Sequence, residues 1–191
     1  KALAATLDHP PLAAEPGMQH AFCDDGIVED SGHWSGLASE EARRGMETAA
    51  AGARELFQQS GRPFLAAPYL INLGALDLSR GEALQAKASF AAALELLEAS
   101  LPPDHPSLIV PLNNLGCAEQ AAGDLEQAAI HLKRAAALQA KHLPRLHLRV
   151  AETARNLARN ALLAKEPDAA AQIDRATALG VELLGELIRH G

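Results

Sequence analysis

The sequence predicts an all-α protein built from repeated pairs of antiparallel helices. The chain has 191 residues, of which 41 are alanine and 31 are leucine, whereas aromatic residues make up only 3%. Alanine and leucine favour helices, and few residues that prefer strands remain. Apolar residues also recur at helical spacing, and the same pattern returns at a constant interval. These observations exclude a β-sandwich or a β-barrel.

The repeat period is 42 residues. The segment 68–74 reads Pro-Tyr-Leu-Ile-Asn-Leu-Gly, and the segment 110–116 reads Val-Pro-Leu-Asn-Asn-Leu-Gly. A third copy begins at Val150 and loses one residue near Glu166. We predict three repeats, at about 67–106, 109–147 and 150–185.

Each repeat is predicted to form a helical hairpin. Gly81 and Gly123 lie between the two helices, where glycine can take the left-handed conformation that ends a helix. Gly74 and Gly116 are small enough to let the partner helix approach closely. A single hairpin cannot cover its own apolar face, so the hairpins must stack on one another.

Two further regions precede the repeats. Residues 37–59 carry apolar side chains along one face and are predicted to be the second helix of a degenerate leading repeat. Residues 1–36 contain several prolines and glycines and are predicted to be an irregular acidic segment. The expected organisation is therefore an irregular segment at 1–36 and a helical repeat domain at 37–191.

Charge is unevenly distributed along the chain. Formal net charge is −7, which argues against a protein that binds nucleic acid through phosphate neutralisation. Residues 1–36 have six acids against Lys1, whereas residues 131–165 have eight bases against Glu152. The basic region could attract an acidic peptide or the acidic start of the chain itself.

Catalytic and cofactor-binding motifs are absent from the sequence. It contains no phosphate-binding glycine loop, dinucleotide fingerprint or Ser-His-Asp pattern, so we predict neither an enzyme nor a cofactor. His20 and Cys23 form one pair of possible metal ligands without the second pair that a zinc site normally has; we interpret them as part of a solvated segment and predict no metal site. His131, His142 and His147 are interpreted as surface residues.

Location is predicted from what the sequence lacks. No apolar run approaches the roughly 20 residues that span a bilayer. Two cysteines are too few for a disulfide framework, and no segment resembles a cleavable signal peptide. We therefore expect a cytoplasmic protein that does not bind membranes.

Three asparagines recur in the first helices, at Asn72, Asn114 and Asn156. Asparagine is unfavourable inside a helix, so its return in every copy needs a reason. The amides either face a groove, where they would hydrogen-bond the backbone of a ligand, or join neighbouring repeats. Both interpretations remain open at this point.

Arg155 and Arg159 lie one turn apart and therefore share one face of the third repeat's first helix. They are candidates for binding an acidic group. In the alternative interpretation they are solvated or paired with Glu152 or Glu119.

The repeat pattern resembles the tetratricopeptide repeat, in the 42-residue form of kinesin light chains and many bacterial relatives. The small residues quoted above and the linker Leu-Pro-Pro-Asp-His-Pro at 101–106 carry this resemblance. It implies a right-handed α-solenoid whose first helices line a concave groove, and it implies no catalysis. Asn113 and Asn114, together with the two arginines, resemble part of the clamp by which some tetratricopeptide domains grip a terminal carboxylate.

We predict a scaffold that binds a peptide or partner segment in the concave groove. Its candidate contacts are Asn72, Asn113, Asn114, Asn156, Arg155 and Arg159. The preferred ligand is a protein segment with an acidic or carboxylate end, and nucleic acid and membrane are not expected as partners. The alternative is self-association as a homo-oligomer, with the N-terminal arm docking on the repeats.

Overall fold

The computed structural model describes residues 40–190, and for His190 the backbone alone. Within this range all regular structure is helical. The seven α-helices are α1 (Glu40–Gln59), α2 (Ala67–Ser79), α3 (Ala83–Glu98), α4 (Ile109–Ala121), α5 (Leu125–His142), α6 (Leu148–Leu163) and α7 (Ala169–His190). Short 3-10 turns at Pro63–Ala66 and Pro106–Leu108 lead into α2 and α4.

The helices form a solenoid of stacked hairpins. α2 pairs with α3, α4 with α5 and α6 with α7, and each hairpin packs against the next through consecutive helices. The backbones of the first helices also approach one another, α2 against α4 and α4 against α6, whereas α3 and α5 lie farther apart and are joined by the ion pair between Glu98 and Arg134. The first helices therefore form the inner row of the stack. The predicted α-solenoid is confirmed.

The hairpins close most tightly where a glycine faces a large apolar side chain. A Cβ at Gly74 would lie 2.9 Å from the ring of Phe90, and one at Gly116 would lie 2.6 Å from Leu132 Cγ. Phe90 and Leu132 are fully buried. Gly74 and Gly116 thus permit the close approach of the two helices that the sequence predicts.

The turn inside each hairpin has the same hydrogen-bonded form. The backbone N–H of Glu82 donates to Asp77 O at 2.9 Å, and those of Asp124 and Glu166 make the same bond in the next two copies. The residue before each of these donors has positive φ: Gly81 78°, Gly123 83° and Lys165 57°. Lys165 therefore adopts a left-handed conformation that costs a side-chain-bearing residue about 1 kcal/mol.

α7 differs from the other helices in length. It has 22 residues, whereas its partner α6 has 16, so α7 is about 9 Å longer than α6 at 1.5 Å per residue. Arg145, just before α6, forms an ion pair with Glu182. Since the hairpin is antiparallel, residues after Glu182 extend beyond the first residue of α6.

Candidate binding cleft between α6 and α7

A cleft of about 620 Å³ lies between α6 and α7. We call it the α6–α7 cleft and define it by its lining. Its apolar part includes Leu148, Ala158, Leu162 and Ile173. Arg155 and Arg159, the two arginines predicted to bind an acidic group, line it as well. The cleft is therefore an apolar cavity with two arginines in its lining.

The third hairpin is open at this point because its facing residues differ from those of the first two. The place of Gly74 and Gly116 is taken by Ala158, which already carries a Cβ. Ile173 takes the place of Phe90 and Leu132 and remains 37% exposed, although both of its counterparts are fully buried. With Ala158 in place of the glycine and with Ile173 only partly covered, space remains between the helices.

A network of polar side chains joins the second and third repeats. Asn156 Nδ2 donates to Asn113 Oδ1 at 3.1 Å, and Thr153 Oγ1 donates to the same oxygen at 2.9 Å. Gln139 Nε2 on α5 donates to Thr153 Oγ1 at 2.8 Å and to the carbonyl of Arg149 at 2.9 Å. Asn156 is 1% exposed. The amide of Asn156 therefore contacts the neighbouring repeat, as one of the two interpretations of these asparagines describes.

The network also orients the amide of Asn113. Its Oδ1 accepts both hydrogen bonds from α6, so its Nδ2 remains as a donor on the other branch of the planar amide. Asn113 is half-buried and lines a small notch between α4 and α6, together with Asn114 and Glu152. Glu152 lines the α6–α7 cleft too. The notch and the cleft are thus adjacent.

The three recurring asparagines have different surroundings. Residues 71, 113 and 155 occupy equivalent places and are isoleucine, asparagine and arginine. Since Asn156 bonds to residue 113, the repeat register places Asn114 opposite Ile71, which has no polar atom in its side chain. Asn114 is buried and Asn72 is half-buried. The structure therefore brings Asn113 and Asn156 together, and Arg155 and Arg159 together, in adjacent places rather than in one cluster with Asn72.

Other polar residues of this region carry no motif in the sequence. Gln120 Nε2 donates to the carbonyl of Asn156 at 2.7 Å, and Asn160 Nδ2 donates to the carbonyl of Leu125 at 3.0 Å. Both residues are buried. For Asn160 the sequence does contain a signal. It lies one turn after Asn156, so the two residues must share a helix face.

His131 differs from its interpretation as a surface residue. It is half-buried, and its Nδ1 lies 2.7 Å from Oε2 of the buried Glu119. This contact joins the two helices of the second repeat, because Glu119 lies on α4 and His131 on α5.

Comparison with known proteins agrees with this geometry. The protein-family model described as tetratricopeptide repeat matches residues 64–141. These residues form tetratricopeptide repeats. The match covers the first two repeats, and the third continues their helical stack through α6 and α7. No curated protein sequence matches the chain significantly.

Two solved structures show the same fold. Both contain the nearly identical TPR-like repeats of a candidate kinesin light chain from Podosopora anserina, and one of the two is a variant with a single substitution. The variant structure is 20% identical, has a TM-score of 0.60 and covers 82% of this chain and 69% of its own. The other is 21% identical, has a TM-score of 0.59 and covers 82% and 70%. The predicted resemblance to kinesin-light-chain-like repeats is confirmed. Tetratricopeptide repeats generally provide protein-binding surfaces rather than catalytic sites.

No group of three or more histidine, cysteine or acidic side chains in residues 40–190 is placed to hold a metal ion. His20 and Cys23 lie outside the described residues. None of the helices in the same range combines the length and the apolar character needed to cross a membrane.

Proposed function

We propose that this protein binds a segment of a partner protein in the α6–α7 cleft and the adjoining notch. The observation that carries the proposal is the combination of an apolar cavity of about 620 Å³ with Arg155 and Arg159 in its lining. An apolar side chain of the partner fills the cavity, and an acidic group or a terminal carboxylate pairs with the guanidinium groups. Guanidinium groups suit carboxylates because they offer several N–H donors in a planar fork.

The notch supplies a second contact for the same ligand. Asn113 Nδ2 can donate to a backbone carbonyl of the segment, while its Oδ1 stays engaged with α6. Asn156 acts in this scheme as a positioning residue, since its own amide holds Asn113 in place. Asn72 and Asn114 extend the inner row of first helices along which a longer segment would continue. Because such a groove is already formed before the ligand arrives, less conformational entropy is lost on association.

A labelled peptide with two leucines among glutamates tests this proposal by fluorescence anisotropy. The variant Arg155→Ala/Arg159→Ala should weaken binding by about tenfold or more, because each charged hydrogen bond contributes about 1.5–3 kcal/mol. The matched control is Arg44→Ala/Arg54→Ala, which removes two exposed arginines from α1 at the other end of the stack. A peptide with lysines in place of the glutamates should bind less tightly to the native protein. Equal binding of both peptides, or equal loss in both variants, would refute the proposal.

Self-association is the second candidate function. Eleven large hydrophobic side chains are exposed within residues 40–190, and eight of them lie on α6 or α7. An apolar surface gathered at one end of a stack marks an interaction site. We place either interaction in the cytoplasm, on the sequence features described above.

A further inference from the structure

The cleft face of α7 continues past the cleft as an exposed apolar end. Leu184, Leu187 and Ile188 are 58%, 62% and 74% exposed. We call these three residues the α7 end. They lie on the part of α7 that follows Glu182, the residue paired with Arg145 in front of α6.

The α7 end and the cleft share one face of the helix. Ile173, Thr177 and Gly180 line the cleft, and Leu184 and Leu187 follow them at intervals of four and three residues. Residues at these intervals lie above one another on a helix. One apolar stripe therefore has a cavity beside its first half and a protruding surface along its second half.

This arrangement is self-complementary. A two-fold axis across the middle of α7 would lay two copies of the helix antiparallel, so that the α7 end of each copy meets the cleft of the other. A two-fold interface requires that each surface patch find its complement on the same chain. The stripe meets this requirement, because the cavity and the protrusion lie on opposite halves of one helix.

The size of the apolar surface also suits a second copy. Eight side chains of leucine, isoleucine or valine on α6 and α7 are 37–74% exposed. They form a large apolar surface at one end of the stack, of the kind that a second copy would cover when each partner buries ~800 Å² in a standard interface. The α7 end is not part of the cleft lining, so a short peptide inserted in the cleft would leave it uncovered.

We propose that the occupant of the α6–α7 cleft is the α7 end of a second copy of this chain, in a two-fold symmetric dimer. The proposal rests on the proposed function, since it takes the cleft as a receptor for an apolar segment and names the segment. In the dimer Leu187 and Ile188 of each copy enter the partner's cavity, and Arg155 and Arg159 flank them.

Sedimentation velocity over a range of concentrations tests the dimer. The native chain should be a dimer that dissociates on dilution. The variant Leu187→Lys/Ile188→Lys should raise the dimer dissociation constant by about tenfold or more, because it places lysines against the partner's arginines. Leu56→Lys/Leu84→Lys is the matched control, since these exposed leucines lie on α1 and α3, and it should dimerise like the native chain.

A charge exchange then tests which surfaces meet. The α7-end variant is mixed with a cleft variant, Arg155→Glu/Arg159→Glu. In the mixed dimer one contact pairs lysines with glutamates and the other is native, so a heterodimer should form more tightly than the α7-end variant dimerises alone. All substituted side chains are exposed or line the open cleft, and circular dichroism verifies that the variants are folded.

Three results would overturn the dimer. They are a native chain that stays monomeric at all concentrations, an α7-end variant that dimerises like the native chain, and a mixture that forms no heterodimer. Failure of the dimer can be told apart from failure of the proposed function, because the glutamate–leucine peptide reports on the cleft of a monomer as well.

Discussion

Arg43 Nε donates to Asp77 Oδ1 at 2.8 Å, and this ion pair joins α1 to the end of α2. Asp77 is 1% exposed. One repeat later Lys87 Nζ lies 3.7 Å from Oε1 of the equivalent buried acid, Glu119, and 2.6 Å from Asp124 Oδ2. Asp77 and Glu119 are 42 residues apart and therefore occupy the same place in their repeats. In both cases a basic side chain of the preceding helix, α1 or α3, pairs with this buried acid.

Removing Arg43 should destabilise the protein strongly. Burial raises the pKa of the Asp77 carboxyl, and the hydrogen bond from Arg43 offsets this only in part. Arg43→Ala would leave a buried carboxylate without its partner, which should lower the free energy of unfolding by about 3 kcal/mol. Urea unfolding at neutral pH measures the change.

Arg44→Ala is the control for this experiment, because Arg44 is the exposed neighbour on the same helix and should change stability by less than about 0.5 kcal/mol. Equal effects of the two substitutions would contradict a structural role for the Arg43–Asp77 pair.

Acid should weaken the contact between repeats that Lys87 makes. The hydrogen bond from Lys87 lowers the pKa of Asp124 below its ordinary value. A carboxyl whose pKa is lowered on folding stabilises the folded state above its unfolded pKa of about 3.9, and this stabilisation is lost as pH falls through the folded pKa. The urea midpoint should therefore drop on acidification below about pH 4.

Lys87→Met should show a smaller acid-induced drop in the urea midpoint than the native chain. Lys133→Met, which alters an exposed lysine on α5, should retain the native drop. If the Lys87 variant lost stability with acid as steeply as the native chain, the Lys87–Asp124 pair would not be responsible.

An added methyl group at Gly116 should be destabilising. It would lie 2.6 Å from Leu132 Cγ and 3.3 Å from the carbonyl oxygen of Ala128, so α4 and α5 would have to move apart. We expect Gly116→Ala to lower the free energy of unfolding by about 1–3 kcal/mol.

The exposed Gly52 provides the matched control within α1, because nothing lies within 4 Å of a Cβ built there. Gly52→Ala should stabilise by about 0.5–1 kcal/mol through helix propensity. Thermal unfolding of both variants should thus give shifts of opposite sign, and shifts of the same sign would contradict the close helix approach at Gly116.

Replacing Lys165 by glycine should stabilise the third hairpin. Lys165 has φ 57°, in a turn where the first two copies have Gly81 and Gly123. Glycine adopts this conformation without the penalty of a Cβ, so Lys165→Gly should raise the free energy of unfolding by about 1 kcal/mol.

Gly123→Ala is the reverse experiment at the equivalent turn and should lower the free energy of unfolding by a similar amount. Differential scanning calorimetry compares the two. A Lys165→Gly variant that melted below the native chain would show that the lysine side chain makes a stabilising contact stronger than the backbone cost.

Local sequence patterns were sufficient to predict the fold. The 42-residue period, the helical spacing of apolar residues and the turn glycines each depend on neighbours within one repeat. The single long helix α7, which begins at Ala169, is consistent with a sequence in which no proline interrupts residues 168–190. Gly74 and Gly116 could be assigned to close packing because small size has the same meaning wherever two helices cross.

The binding surface depended on packing between helices that are distant in the sequence. A one-turn spacing places Arg155 and Arg159 on one face of α6, but the rotation of α6 against α7 determines that this face lines the cleft. The partner of Asn156 is residue 113 of the preceding repeat, and only there is that residue an asparagine. Repeat periodicity specifies how each hairpin folds. The substitutions at Ala158 and Ile173 produce an open cavity only because the third hairpin packs without the glycine contact of the first two.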